Sequence, residues 1–222
     1  MTPAQHAALM AVANDERAGA GHIYFGAIAL IFNCDFSVAK RELERGVALD
    51  PNSSDAHRWH AWYLARVERD FVAARAELER SQTLDPHFLY DEDPIAHVYV
   101  AMGRWQDGVK RYQSLSASAL WGPNFELAVC YAHTGETARA KQILNELEAR
   151  AQHRYVDRTH IAAIHAALGD KDKAFAELDQ ACQDQSARIS APRFYPWLAP
   201  LFDDPRFADL LHRIGLDSQN KK

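Results

Sequence analysis

Residues 36–51 read FSVAKRELERGVALDP, and residues 71–86 read FVAARAELERSQTLDP. The two stretches agree at nine of sixteen positions: Phe36/Phe71, Ala39/Ala74, Glu42/Glu77, Leu43/Leu78, Glu44/Glu79, Arg45/Arg80, Leu49/Leu84, Asp50/Asp85 and Pro51/Pro86. Asp35 and Asp70 precede them. A shift of 35 residues lays one stretch on the other, and self-similarity at a fixed period marks a repeat array. In the first copy Val38, Ala39, Leu43, Gly46 and Val47 recur near helical spacing with charges between them. Asp50-Pro51 closes that helix, because proline disfavours a helical residue before it, and Asn52, Ser53 and Ser54 supply caps for the next.

The chain has 222 residues, 48% hydrophobic and 25% charged, the balance of a soluble globular protein. A net charge of -5 argues against a nucleic-acid surface, which needs a basic excess or patch. The longest apolar run, 23–32, is about ten residues, and a membrane span needs about twenty. Residues 1–16 lack a basic start and a strong apolar core, so no secretory signal is expected there. Cys34, Cys130 and Cys182 are odd in number and widely spaced. They suit a reducing, cytoplasmic setting and form neither a disulfide framework nor a metal knuckle.

Further helices are expected over 3–15, 20–32, 55–67, 94–102, 105–116, 123–133, 137–150, 155–168 and 171–185. The spacing predicts three domains: a partial leading helix over 1–18, a repeat array over 19–186 and a Pro-rich capping segment with a terminal helix over 187–222. Residues 191–204 are expected to be extended, with 193–198 the best candidate strand. Asp204-Pro205 opens the last helix, whose apolar stripe is Phe207, Leu210, Leu211 and Ile214 and whose C-cap is Gly215. Together with Phe194, Trp197, Leu198, Leu201 and Phe202, that stripe is expected to cover the open end of the array.

Small residues recur at fixed places: Gly26, Ala61, Ala96, Ala128 and Ala162, then Gly103, Gly135 and Gly169, then Ala39, Ala74, Gly108, Ala140 and Ala174. With the closing Pro51 and Pro86 they resemble a tetratricopeptide (TPR) repeat. Leu43, Leu78, Tyr112, Leu144 and Leu178 would fill the space between repeats. The first two units depart from a strict 34-residue period by one extra residue in the inner turn, at Asn33-Cys34-Asp35 and Arg69-Asp70. More narrowly, Arg154-Tyr155-Val156, Leu168-Gly169-Asp170-Lys171-Asp172 and Asp204-Pro205-Arg206-Phe207 look like the C-terminal TPR region of multidomain bacterial regulators. The resemblance implies an all-α, right-handed superhelical solenoid of antiparallel helix pairs with a C-terminal cap. It implies a fold more than a function, because that fold serves many partners.

No phosphate-binding loop, paired-histidine zinc motif or nucleophile elbow is present, so no catalytic residue, metal or cofactor is expected. His57 and His60 share a helix face, but a metal would need a third ligand. His160 and His165 do not share a face, and His165 is expected to pack between helices. Glu42, Glu44, Glu77 and Glu79 read as a solvated face. Trp105 and Trp121 are expected to pack under turns. The strongest binding candidates are Arg58, Trp59, Trp62, Tyr63 and Arg66 on one helix, joined by Tyr24 and His97 on neighbouring first helices. These are the residue types enriched at binding hot spots. The expected function is a non-enzymatic scaffold holding a protein or peptide partner in a concave groove. The alternatives are a self-assembly module forming homo-oligomers, or the regulatory remnant of a bacterial signalling protein.

Overall fold

Asp35 and Asp70, one before each copy of the repeat, are N-caps. Their carboxylates accept the backbone N–H of Val38 at 3.1 Å and of Ala73 at 3.0 Å, satisfying donors that a helix start leaves unpaired. The computed structural model describes residues 18–33, 35–86, 94–116, 124–190, 192 and 195–216. Every regular element among them is helical. Gly19–Ile28 (α1), Phe36–Leu49 (α2), Ser54–Tyr63 (α3), Phe71–Leu84 (α4) and Pro94–Ala101 (α5) lie in one compact unit, Met1–Met102. Trp105–Ser116 (α6), Phe125–His133 (α7), Thr137–Ala151 (α8), Arg158–Ala167 (α9), Lys171–Gln183 (α10) and Pro205–Arg213 (α11) lie in a second, Gly103–Lys222. The break at 102/103 falls inside the stretch that the sequence treats as one array. The helix expected over 3–15, Trp121 and Phe194 lie outside the described residues.

The pairs are antiparallel. A Cβ on Gly19 would meet Asp50, one on Gly26 would meet Leu43 and one on Gly46 would meet Ile23, so numbers rise along α1 as they fall along α2. The added Cβ would come within 2.7 Å of Leu43 at Gly26 and within 2.6 Å of Ile23 at Gly46, so these two glycines are what lets the helices close. Alanines recur at the matching positions and are fully buried: Ala39, Ala61, Ala74, Ala96, Ala128, Ala140, Ala162 and Ala174 are all 0% exposed. Leu43, Leu78, Tyr112, Leu144 and Leu178 fill the space beside them and are buried, as the spacing predicts.

The extra turn residue has a definite form. The helix expected over 20–32 runs as α1 and then widens into a π-helical turn, Ala29–Asn33. The helix expected over 55–67 runs as α3 and ends in the same way at Leu64–Glu68. A π turn holds one more residue than an α turn at the same rise, and absorbs an insertion without shifting the next helix.

The tail corrects another expectation. Among the described residues of 191–204 no strand is present and the chain is not extended throughout. Ala187–Ser190 and Pro196–Leu201 are 3-10 turns instead. Pro196 and Pro200 lack the N–H that a sheet needs, whereas a proline φ suits a tight helical turn. Trp197, Leu198, Leu201, Phe207, Leu210 and Leu211 join one buried cluster with Phe125, Ile161, Ile164, Phe175 and Leu178. Arg206 reaches Asp172 at 2.7 Å and Arg213 reaches Asp179 at 2.5 Å, each 34 residues away. α11 therefore stands beside α10 where the second helix of a further repeat would stand. That placement explains why a chain that stops repeating still buries its last apolar flank. Among the described residues, no helix is long and apolar enough to cross a membrane.

Candidate functional site

α3 begins at the Ser53 cap, whose hydroxyl accepts the Ala56 N–H at 3.2 Å. Its sequence, SDAHRWHAWY, turns Ala56, His57, Ala61 and Tyr63 inward. Arg58, Trp59 and Trp62 are left half-buried on the other side, and Arg66 in the following π turn is half-buried as well. These side chains stack into one ladder. The Arg58 guanidinium lies over Trp59, 4.6 Å from the ring centroid, and the Arg66 guanidinium lies over Trp62 at 4.3 Å. The two indoles tilt at 54° with centroids 6.2 Å apart. Such cation–π and aromatic contacts stiffen side chains that would otherwise move freely.

The ladder is tied to both neighbouring first helices. Tyr24 of α1 donates its hydroxyl to Asp55 at 3.0 Å, and Arg58 donates to the other oxygen of the same carboxylate at 2.5 Å. The Asp55 carboxylate, as acceptor and as a nearby negative charge, raises the Tyr24 pKa above the usual phenol value. On the far side His97 of α5 meets Trp62 edge-on, at 5.2 Å and 74°. Tyr24, Arg58, Trp59, Trp62 and Arg66 thus come together, with Tyr24 49% exposed. His97 is a correction: at 3% exposed it is buried behind Trp62 and supports the ladder from within rather than facing a partner. Tyr63 is a correction: at 4% exposed it is a core residue whose hydroxyl donates to Glu68 at 3.2 Å, so it leaves the candidate set. It sits four positions from Trp59, but its hydroxyl meets Glu68, the carboxylate that also binds Lys40 of α2 at 2.5 Å.

A second feature is a pair of polar clasps between helices. His22 Nδ1 lies 2.7 Å from Glu42 Oε2, and His57 Nδ1 lies 2.5 Å from Glu77 Oε2. His60 Nδ1 stands 3.3 Å from the other Glu77 oxygen, and His57 Nε2 is 2.9 Å from the Pro51 carbonyl. The expectation that Glu42 and Glu77 belong to a solvated face is therefore wrong: Glu42 is 6% exposed and Glu77 half-buried, while Glu44 and Glu79 do face water. The signal was present. Ala39, Glu42, Leu43 and Gly46 stand at i, i+3, i+4 and i+7, which is the buried stripe itself. His22 and His57 also share the 35-residue period. Burial alone would raise the Glu42 pKa, but His22 and Arg41 hold it below the usual carboxylate range. For Glu77 the His60 contact, followed by His57, overcomes burial in the same way.

Unit Gly103–Lys222 places its histidines differently. His160 stacks on Phe125, with centroids 3.8 Å apart, and Trp105 stacks on His133 at the same distance. Trp105 is half-buried against the core. Burial pushes the His160 pKa down to about 4, with Arg188 adding to the effect and Asp157 opposing it. His165 is 5% exposed and packs between α9 and α8, 3.5 Å from Glu148. Burial, with Glu126 nearby, pushes the Cys130 thiol up to about 12, which suits a core residue rather than a nucleophile. Among the described residues, no three His, Cys, Asp or Glu side chains are placed to hold a metal ion.

No family model and no curated protein matches the chain. A solved structure described as Naa15/Naa10 bound to HypK-THB resembles it over 96% of this chain, at 17% identity and a TM-score of 0.44. The chain spans about a third of the length of that neighbour, 34%.

Proposed function

We propose that the chain is a non-enzymatic scaffold that holds a protein or peptide segment against the ladder on α3. The observation that carries this reading is the stacking of Arg58, Trp59, Trp62 and Arg66 along one helix, linked to Tyr24 through Asp55. Half-buried indoles that are pre-stacked lose little side-chain freedom when a partner covers them, and Trp, Tyr and Arg dominate interface energetics for that reason. Asp55 already neutralises Arg58, so an acidic segment gains little there. An extended segment with apolar or aromatic side chains fits better, laid across Tyr24, Trp59 and Trp62. The location implied by the composition, a cytoplasmic one, is part of the same proposal.

The test is capture of a partner by the full chain, followed by titration with the parent and with Trp59→Ser. The change is expected to weaken binding by about 2 kcal/mol or more. The melting temperature should move little, because Trp59 is only half-buried. Equal affinity would remove the ladder from the site. A change in sedimentation instead of in partner binding would favour self-assembly.

A further inference from the structure

The shift that lays Ala61 on Ala162 also lays His57 on Arg158 and Trp59 on His160. Ala61 and Ala162 are both fully buried, and His57 and Arg158 make the corresponding bridges to Glu77 and Glu177. His160 therefore holds the Trp59 position of its own repeat, and there the chain's tail lies against the first helices. His160 stacks on Phe125 of α7, and Trp197 meets Phe125 edge-on, at 5.2 Å and 81°. Tyr195 stacks on Trp197 at 5.1 Å and 26°, and the Arg188 guanidinium stands 5.8 Å from the centre of the Tyr195 ring. Arg188 is also near enough to His160 to help lower its pKa, so the five side chains close into one cluster. The turn Pro196–Leu201 packs on α9, and Trp197 is left 1% exposed. Pro196 fixes its own backbone between the two rings, so Tyr195 and Trp197 lose little freedom when they are seated together. At the matching position of Met1–Met102, Trp59 stays half-buried and Tyr24, joined to it through Asp55 and Arg58, is 49% exposed.

We propose that the α3 ladder takes a segment of the same chemistry as this tail, two aromatic side chains flanking a proline, supplied by another protein. The proposal rests on the scaffold reading above and names its class of partner. The segment comes from another protein because the chain's own copy is buried. One of its rings meets the open side of Trp59 and Trp62, and the other lies on Tyr24.

The experiment titrates the full chain into a fluorescein-labelled peptide, YPWLAPLFD, a copy of residues 195–203, read by polarisation. The control is the same peptide with Tyr195→Ser and Trp197→Ser. The aromatic peptide is expected to bind about fivefold or more tightly than the control. Trp59→Ser and Tyr24→Ser in the full chain should each weaken it about fivefold or more at unchanged melting temperature. Tyr155→Ser, at an exposed ring of the other unit, should leave it unchanged. No binding, equal binding of both peptides, or full binding by the Trp59→Ser and Tyr24→Ser chains overturns the proposal. If the peptide fails while a captured partner still depends on Trp59, the partner class falls and the scaffold reading stands. If neither depends on Trp59, the ladder itself is not the site.

Discussion

In Met1–Met102 the N–H of Asp35 reaches back to the Ala29 carbonyl and that of Asp70 to Leu64, six residues each. In Gly103–Lys222 Glu136 reaches Tyr131 and Asp170 reaches His165, five residues each. The left-handed turn residue differs as well. Gly135 and Gly169 both stand at φ 84, whereas the equivalent turn of the first unit uses Arg69 at φ 57. One inserted residue separates the two closures, and the π turn absorbs it. The polar bridges confirm the offset. His22–Glu42 and His57–Glu77 span 20 residues, while Arg158–Glu177, the same bridge in the second unit, spans 19. The helix faces stay in register although the turns do not. Register in a helix pair is thus held by the small residues and the bridge, and the turn adapts to them.

The largest contrast expected is in the cap. Phe207 is 0% exposed in the cluster that α11 completes. Phe207→Ala should cost about 3–5 kcal/mol, through lost transfer energy and a cavity. Hydrogen exchange is the check: amides of α9 and α10 should lose protection while those of α1 to α4 keep theirs. Equal loss in both units would show that they do not unfold separately.

Acid should next distinguish the units. His160 has a folded pKa of about 4 against an unfolded value near 6.5, so it is neutral in both states above pH 6.5. As pH falls below that, the unfolded chain takes up a proton that the folded one refuses. Stability therefore drops between pH 6.5 and 4, by at most about 3 kcal/mol. Glu42 and Glu77 are depressed instead, so their contribution is intact above the usual carboxylate value and is lost only as pH falls through their folded pKa values. Between pH 6.5 and 5 the second unit should weaken alone. Melting curves of His160→Phe, which keeps the stack on Phe125, should lose that slope; a slope that persists would assign it to other groups.

The bridges should rank by burial. Glu77→Gln removes a charge shared by His57 and His60, and should cost about 1–3 kcal/mol in urea unfolding. Glu177→Gln breaks a more open pair with Arg158 and should cost less than about 1 kcal/mol. The reverse order would contradict a ranking by burial. The smallest effects belong to the turns. Arg69→Gly should stabilise by about 1 kcal/mol, and Gly135→Ala should destabilise by about the same, since a Cβ is strained at positive φ. Nothing lies within 4 Å of a Cβ at Gly135, so any loss there is backbone strain alone. Opposite signs in one thermal-denaturation series would verify the contrast between the turns.

Much of this was legible beforehand. Period, small residues, caps and the αL glycines at 103, 135 and 169 are local properties, and they stand where the spacing puts them. The ladder residues were visible as a cluster of types on one helix, but composition does not say which side of α3 is covered. Tyr63 and Trp59 differ by one helical turn and a small rotation, and only the packed partner decides that Tyr63 is inside. For Glu42 and Glu77 charge points to water and position in the stripe points inward; a buried carboxylate is stable only with a partner such as His22 or His57, and that partner sits on another helix. Prolines in the tail exclude a sheet or a regular α-helix without excluding 3-10 turns, so composition alone does not separate an extended course from the turn at Pro196–Leu201.

The sequence by itself determined that this chain is helical, where its helices start, and that they pair through small residues at a repeating interval. Those features follow from hydrogen bonds and steric contacts within a few residues. The tertiary structure alone decided that the inserted residues become π turns and that buried Glu meets His. It also decided that α11 takes the place of a missing repeat helix and that the packing divides at 102/103. Each of these depends on groups distant in sequence competing for the same buried space, and local propensity holds no record of that competition.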